Sequence, residues 1–274
     1  MRMYESFYGL KEKPFSLNPD PAFIFLATPH RKALTMLEYS LANDAPFCLI
    51  SGEVGSGKTT LIRHLLNNLE QTVTVGLISN TSRHFGRLLQ WICMSFGLEY
   101  KDKDEVALYE VFTRFLIDEY AKGHRVVLIV DEAQNLGRAH LEELRVLSNI
   151  NADKHLLLQT ILVGQPELRA LIGTPELLQL AQRISADYHL GALSAVEAHR
   201  YIRHRLRVAG GRINLFRHAA MTLAYETSRG IPRLINQYCE QALVYGYAEG
   251  RERIDAELMA QVIEDRRSSG LIAN

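Results

Sequence analysis

Net charge is what this 274-residue sequence most plainly lacks: 31 Lys and Arg balance 31 Asp and Glu. No global field draws the chain to nucleic acid or an anionic membrane, so any such contact has to come from a local patch. Cysteine is scarce too. Cys48, Cys93 and Cys239 are odd in number, far apart and set in apolar runs. That excludes a disulfide framework or a zinc site built on closely spaced pairs, and it fits buried free thiols in a reducing compartment. No run approaches the roughly 18 uninterrupted apolar residues of a membrane span. The opening stretch, "MRMYESFYGLKEKPF", has neither an apolar h-region nor a cleavage site. The expected location is the cytoplasm, with peripheral association at the inner membrane face left open. Repeats and low-complexity segments are also missing. With 47% hydrophobic and 23% charged residues, the composition is that of an ordinary globular protein.

Proline is sparse except near the start, where "FYGLKEKPFSLNPDPAFIF" sets aromatics among Pro14, Pro19 and Pro21. These prolines forbid a long helix and favour extended, turned backbone. Apolar residues at helical spacing in "HRKALTMLEYSLAN" then predict a helix. Five short apolar runs read as buried strands, at 47–51, 72–79, 125–131, 156–164 and 186–190. Helical stretches separate them at about 58–70, 83–96, 105–121, 137–150 and 175–184. Continuous apolar strands alternating with helices predict a parallel sheet covered on both faces. After Leu190 four helix candidates follow with no strand between them, the first opened by a Ser194/Glu197 capping box. The expected organisation is an N-terminal segment and helix over 1–45 belonging to the body, a core over 46–192, a helical lid over 193–268 and a tail over 269–274.

The first strand runs directly into "GEVGSGKTT", residues Gly52, Glu53, Val54, Gly55, Ser56, Gly57, Lys58, Thr59 and Thr60, which open a helix. This satisfies G-x-x-x-x-G-K-[ST] in a strand–loop–helix context. Glycines let successive backbone N–H groups converge on phosphate oxygens, and the helix N-terminus adds positive charge. Lys58 is assigned to the β- and γ-phosphates of ATP, and the Thr59 hydroxyl to Mg²⁺. In "VVLIVDEAQ" an acidic pair ends a buried strand, where ligands of open α/β sheets bind. Asp131 is the second Mg²⁺ candidate, and Glu132 is the group to polarise an attacking water. Gln165, at the end of the fourth strand, either orients that water, contacts the γ-phosphate or is a solvated strand end. Asn80 either restrains Glu132 or is an ordinary turn residue.

Arg233, in "SRGIPRLIN", stands in the first turn of a helix, where the macrodipole disfavours a cation. An anion supplied by a ligand explains it, which makes Arg233 a sensor of the γ-phosphate. The fold class expected from these signals is α/β, a P-loop NTPase αβα sandwich on a five-stranded parallel sheet, followed by a small all-α lid.

Together, "GEVGSGKTTL", "IVDEAQNL", "ILVGQPELR", the "QR" before the fifth strand and "RGIPRLIN" resemble the AAA+ ATPases. With "MYESFYGLKEKPFSLNPDPAFIFLATPHRKAL" they resemble the ExeA/GspA-like branch, over about residues 3–267. That branch includes general secretion pathway protein A, a pilus biogenesis ATPase and exosortase-associated ATPases. Protein A continues into a membrane span and a peptidoglycan-binding region beyond the stretch matched, so the expectation covers the ATPase alone. The resemblance implies Mg²⁺-dependent ATP hydrolysis, a ring or filament of identical subunits, and work on an envelope secretion, pilus or exopolysaccharide assembly system. It also implies that Arg183, in "LAQRIS", is an arginine finger reaching the neighbouring subunit; the alternative is an arginine serving a helix C-terminus. A second function stays open, a DNA-binding regulator of transposition similar to TnsC and TniB. From His199 to Arg217 the sequence has six arginines (200, 203, 205, 207, 212 and 217) and no acid. That face suits DNA phosphates or lipid headgroups, or else solvent, an acidic partner or the next subunit. The N-terminal aromatics either sandwich adenine or cover the edge of the core.

Overall fold

The computed structural model describes residues 3–18, 20–79, 86–152 and 155–269. The chain forms two compact units. One comprises Lys32–Gly52 and Leu61–Leu190; the other comprises Met1–Arg31, Glu53–Thr60 and Gly191–Asn274.

In chain order the strands are β1 (Phe47–Gly52), β2 (Val73–Ile78), β3 (Arg125–Val130), β4 (Asn151–Ala152), β5 (His155–Leu156), β6 (Gln159–Gly164) and β7 (Ile184–Leu190). The helices are α1 (Tyr4–Tyr8), α2 (Thr28–Ala42), α3 (Lys58–Asn67), α4 (Leu88–Ser95), α5 (Glu105–Ala121), α6 (Gly137–Leu147), α7 (Pro166–Ile172), α8 (Leu178–Ala181), α9 (Ala195–Val208), α10 (His218–Ser228), α11 (Pro232–Ala248) and α12 (Ala256–Ser268).

Five strands pair in parallel in the order β2-β3-β6-β1-β7, as the alternating pattern predicts. Both faces of this sheet are dry. Phe47, Leu49, Val126, Leu128, Val130 and Leu162 share one core with residues of α4, α5 and α6. Their neighbours in sequence, Cys48, Ile50, Val127, Ile129, Ile161 and Val163, are equally buried and alternate to the opposite face. There the Cys48 thiol meets Ser40 of α2, and burial pushes it up to about 11. The central strands β1, β3 and β6 are therefore close to continuous apolar runs, whereas the edge strand β7 exposes Ser185, Asp187 and His189.

Three local readings change. The predicted strand over 156–164 divides, because His155–Leu156 turns antiparallel to Asn151–Ala152 and only Gln159–Gly164 joins the sheet. The stretch 166–172 is a helix that the sequence did not announce: Pro166 occupies its first turn directly after the strand. The predicted helix over 175–184 shrinks to one 3-10 turn and the four residues of α8, and β7 starts at Ile184.

In the helical unit, α9 to α12 follow the four predicted helices, and the Ser194/Glu197 capping box is present. The N-terminal aromatics belong here, and this corrects their expected place in the ATPase body. Tyr4, Tyr8, Phe15 and Phe23 share a core with Ile202, Leu206, Tyr238 and Leu243. The Tyr4 hydroxyl donates to Glu240 at 2.6 Å, and the Tyr8 hydroxyl to the Arg251 carbonyl at 3.0 Å. Arg205 donates to the Pro14 and Ser16 carbonyls at 2.5 and 3.0 Å and lies 4.6 Å over the Phe23 ring. The proline-rich segment has only short local turns of its own, among them the 3-10 turn Pro21–Phe23. These side chains hold it instead.

Glu197 shows how the segment is fastened. Its carboxylate accepts from Thr28 N at 2.8 Å and from Ser194 N at 3.1 Å. Burial alone would favour the neutral acid, but the hydrogen bonds from Thr28 and Ser194 outweigh it and hold the group down at about 2. A depressed carboxylate stabilises the fold fully above its unfolded value of about 4.3, and that contribution is lost as pH falls through the folded value. Glu197→Gln should therefore flatten the acid limb of stability between about pH 4.5 and 2, read as urea midpoint against pH. An acid limb identical to wild type would show that Glu197 is not the group titrating there.

Candidate nucleotide-binding site

The phosphate loop leaves β1 at Gly52 and enters α3 at Lys58. Two of its glycines adopt backbone that side chains rarely take, Gly55 at φ 81° and Gly57 at φ 104°. Each is also closed in by a neighbour. A Cβ on Gly55 would lie 2.4 Å from the Cβ of Arg233, and one on Gly57 would lie 2.7 Å from Nε2 of His30. Both contacts fall within the helical unit. The Arg233 N–H donates to the Gly55 carbonyl at 3.3 Å, so the first turn of α11 is seated directly on the loop.

The arrival of Arg233 follows from the segment before it. Arg229 ends α10 at φ 51°, and Gly230 continues at φ 75°. A Cβ on Gly230 would stand 2.2 Å from the Leu193 carbonyl oxygen, and Leu193 N donates to the Gly230 carbonyl at 3.0 Å. Pro232 then starts α11. The "RGIPR" turn thus delivers Arg233 to the loop at a fixed height.

Lys58 is buried, and its ammonium donates to the Glu53 carbonyl at 3.0 Å, across the loop that it closes. Thr59 and Thr60 stand in the first turn of α3, beside the N–H groups that favour an anion. The glycine cradle, the enclosed lysine and the hydroxyl at the helix start together fit a nucleotide phosphate and its Mg²⁺.

His30 was missed by the sequence reading. Nε2 of this buried ring lies 3.0 Å from the Ser56 carbonyl. A carbonyl only accepts, so Nε2 carries the proton. Burial lowers the ring's affinity for a second proton, and the imidazole is held neutral. In sequence it is one polar position in an ordinary amphipathic helix, with nothing to mark it.

At the C-terminal ends of β3 and β6 lies the acidic half. Asp131 is buried, donates its N–H to the Ile78 carbonyl at 2.8 Å, and accepts the Glu132 N–H on Oδ1 at 2.9 Å. Glu132 takes left-handed backbone, φ 54°, which costs a non-glycine residue on the order of 1 kcal/mol or more. Its Oε2 accepts from Nε2 of Gln134 at 2.5 Å and from Nε2 of Gln165 at 3.0 Å. The Gln165 N–H donates to Oε1 of Gln134 at 3.1 Å. Gln165 thus meets the carboxylate, and Gln134 of the "DEAQ" run joins it without having been singled out. Asn80, the residue expected to restrain Glu132, lies outside the described residues.

Arg183 sits elsewhere on the sheet unit. Its guanidinium donates to the Arg145 carbonyl at 3.3 Å, to Ser148 Oγ at 2.7 Å and to Asn149 Oδ1 at 2.5 Å. It satisfies the C-terminal end of α6 while staying half-exposed.

The profile of the AAA domain family matches residues 42–180, half of the chain. The chain belongs to the AAA domain family. General secretion pathway protein A of Aeromonas hydrophila is 42% identical over 98% of this AAA protein, which spans 50% of that relative's length. Among solved structures, the ORC2 protein of Aeropyrum pernix, in ADPNP–ADP complexes, superposes with a TM-score of 0.67 at 16% identity. That match covers 96% of this chain and 75% of the other. A Walker-type ATPase of Pyrococcus abyssi gives 0.67 at 21% identity, covering 94% and 77%. At such identities these likenesses show the AAA fold. No described helix is long and apolar enough to cross a membrane.

The close approach at Gly55 can be separated from its backbone angle. Gly123 also has positive φ, 77°, but a Cβ there meets nothing within 4 Å. Gly123→Ala should cost only the backbone penalty, about 1–2 kcal/mol. Gly55→Ala should cost more and weaken nucleotide affinity, measured by urea midpoint and fluorescent-nucleotide titration. Equal midpoints with unchanged affinity would show that the contact with Arg233 yields freely.

Proposed function

We propose that this AAA protein binds and hydrolyses ATP, with subunits that share their active sites, in the service of a cell-envelope secretion or related assembly system. The observation that carries the ATP reading is the phosphate loop, whose Gly55 and Gly57 are confined by Arg233 and His30. The identity with general secretion pathway protein A supports the envelope role.

In this reading the loop N–H groups and Lys58 bind the β- and γ-phosphates, exchanging the Glu53 carbonyl for phosphate oxygen. Thr59 and Asp131 would hold Mg²⁺, which would supply the neutralisation of charge developing on the phosphates. Glu132 takes the proton of the attacking water. Its carboxylate has first to turn from the amides of Gln134 and Gln165, so these two residues set how readily the base is presented. Arg233 answers to the γ-phosphate, and movement of its turn is passed to α11. Arg183 serves a neighbouring subunit, leaving Ser148 and Asn149 when a partner's nucleotide is offered.

Lys58→Ala should abolish tight nucleotide binding, whereas Glu132→Gln should keep binding and lose turnover; wild-type turnover in Glu132→Gln would remove it as the base. Arg183→Ala should lower kcat by up to the 10³–10⁵-fold range of arginine fingers, with little change in nucleotide affinity. Mixing makes the shared site visible. An Arg183→Ala subunit retains Glu132, and a Glu132→Gln subunit retains Arg183, so an inactive pair should regain activity on co-assembly. A mixture that co-assembles and stays inactive leaves Arg183 only its place at the end of α6.

A further inference from the structure

The helical unit holds a cavity of about 700 Å³ away from the phosphate loop, lined by Phe25, Arg200, Arg203, His204, Arg207, Ile213, Asn214, Phe216, Arg217 and His218. That volume is of the size that takes small-molecule ligands. Its lining has four arginines, two histidines and no acid.

We propose that this pocket binds a compact organic polyphosphate, a nucleotide-type anion additional to the one on the phosphate loop. The arginines themselves argue for it. Several guanidinium groups elsewhere pair with acids: Arg138 with Glu176, Arg145 with Glu142, Arg169 with Asp187, and Arg251 with Glu249. Arg205, on the same helix as three of the pocket arginines, is buried against backbone carbonyls. Arg200, Arg203, Arg207 and Arg217 form no salt bridge to any described residue. Four like charges around one cavity repel one another, and an anion of several charges relieves that repulsion while receiving planar, forked donors.

Two further features lie beside the same space. Arg217 is the N-cap residue of the 11-residue α10, and no side chain caps that helix or places an acid in its first turn. Its leading N–H groups are open to an external acceptor. His204 has Nε2 buried without a hydrogen-bond partner, while the ring is bound to the Ile24 carbonyl and lies 5.4 Å from the Phe25 ring. Phe25 and Phe216 supply aromatic lining. Phosphates on the arginines with an organic moiety over Phe25 and Phe216 would use the whole cavity. Duplex DNA would meet the outer arginines and leave the aromatic lining unused.

The test takes the full chain carrying Lys58→Ala, so that the phosphate loop does not compete, and titrates it with inorganic tripolyphosphate and with ATP by calorimetry. One saturable site is expected, tighter for ATP than for the inorganic chain and weakened by added salt. Arg203→Gln with Arg217→Gln should weaken it about tenfold or more with the melting temperature retained. Asn214→Glu, which adds an acid to the lining without removing an arginine, should do the same. Absence of a saturable site, or binding unchanged in both variants, overturns the proposal. Arginine-dependent binding of a short DNA duplex with no binding of either phosphate probe also overturns it and makes the face a nucleic-acid contact.

Discussion

A Cβ on Gly55 would stand 2.4 Å from the Cβ of Arg233, so the phosphate loop and the first turn of α11 touch backbone to stem. Nothing flexible lies between them to absorb a shift. Gly57 meets His30 in the same way, which holds the loop from a second side. Packed interiors transmit displacement rather than damping it. A displacement of this loop would therefore press on α11 and on the start of α2. The remaining features of the helical unit serve this contact. Gly230 leaves the Leu193 carbonyl oxygen the place a Cβ would take, Pro232 starts the helix, and Glu197 joins Thr28 to the capping box of α9.

The acidic half obeys a different constraint. Glu132 must leave the strand direction of β3 to present its carboxylate, and the chain achieves this with left-handed backbone at a charged residue. Two amides from Gln134 and Gln165 then fix the carboxylate. The sheet order makes this meeting geometrically simple. β6 is the direct neighbour of β3, with Val130 level with Leu162, so the residues that follow each strand emerge side by side. Strain at Glu132 and restraint by two glutamines belong together, since the first persists only where surroundings over-determine it.

Partners, not burial, separate the arginines of this chain, since Arg183 and Arg203 are both half-buried. Arg205 and Arg183 are structural donors that satisfy carbonyls left over by a proline-rich segment and by a helix end. The arginines around the cavity of the helical unit satisfy nothing described in the protein. A formal charge of zero conceals this division, because the acids that balance these arginines in number stand elsewhere.

The sequence by itself determined the α/β body, the four-helix unit and the phosphate loop. Each rests on local rules: apolar runs make buried strands, Ser194 and Glu197 start a helix, and glycines before Lys58 allow the loop to curl. The near-exact strand and helix spans at 47–52, 105–121 and 195–208 follow from those rules. Tertiary structure alone decided that the N-terminal aromatics join the helical unit, because their hydrophobicity names no partner and Tyr4 bonds to Glu240, 236 positions away. It alone brought His30 to Ser56, Gln165 to Glu132, and Arg183 to α6. Hydrogen bonds between distant side chains depend on strand order and register, and neither leaves a periodic mark in the chain. The arginines of α9 show the limit most clearly. Helical spacing put Arg200, Arg203 and Arg207 on one face, but whether that face met solvent, an acid or a cavity rested on Arg217 and Phe216 arriving from the next segment.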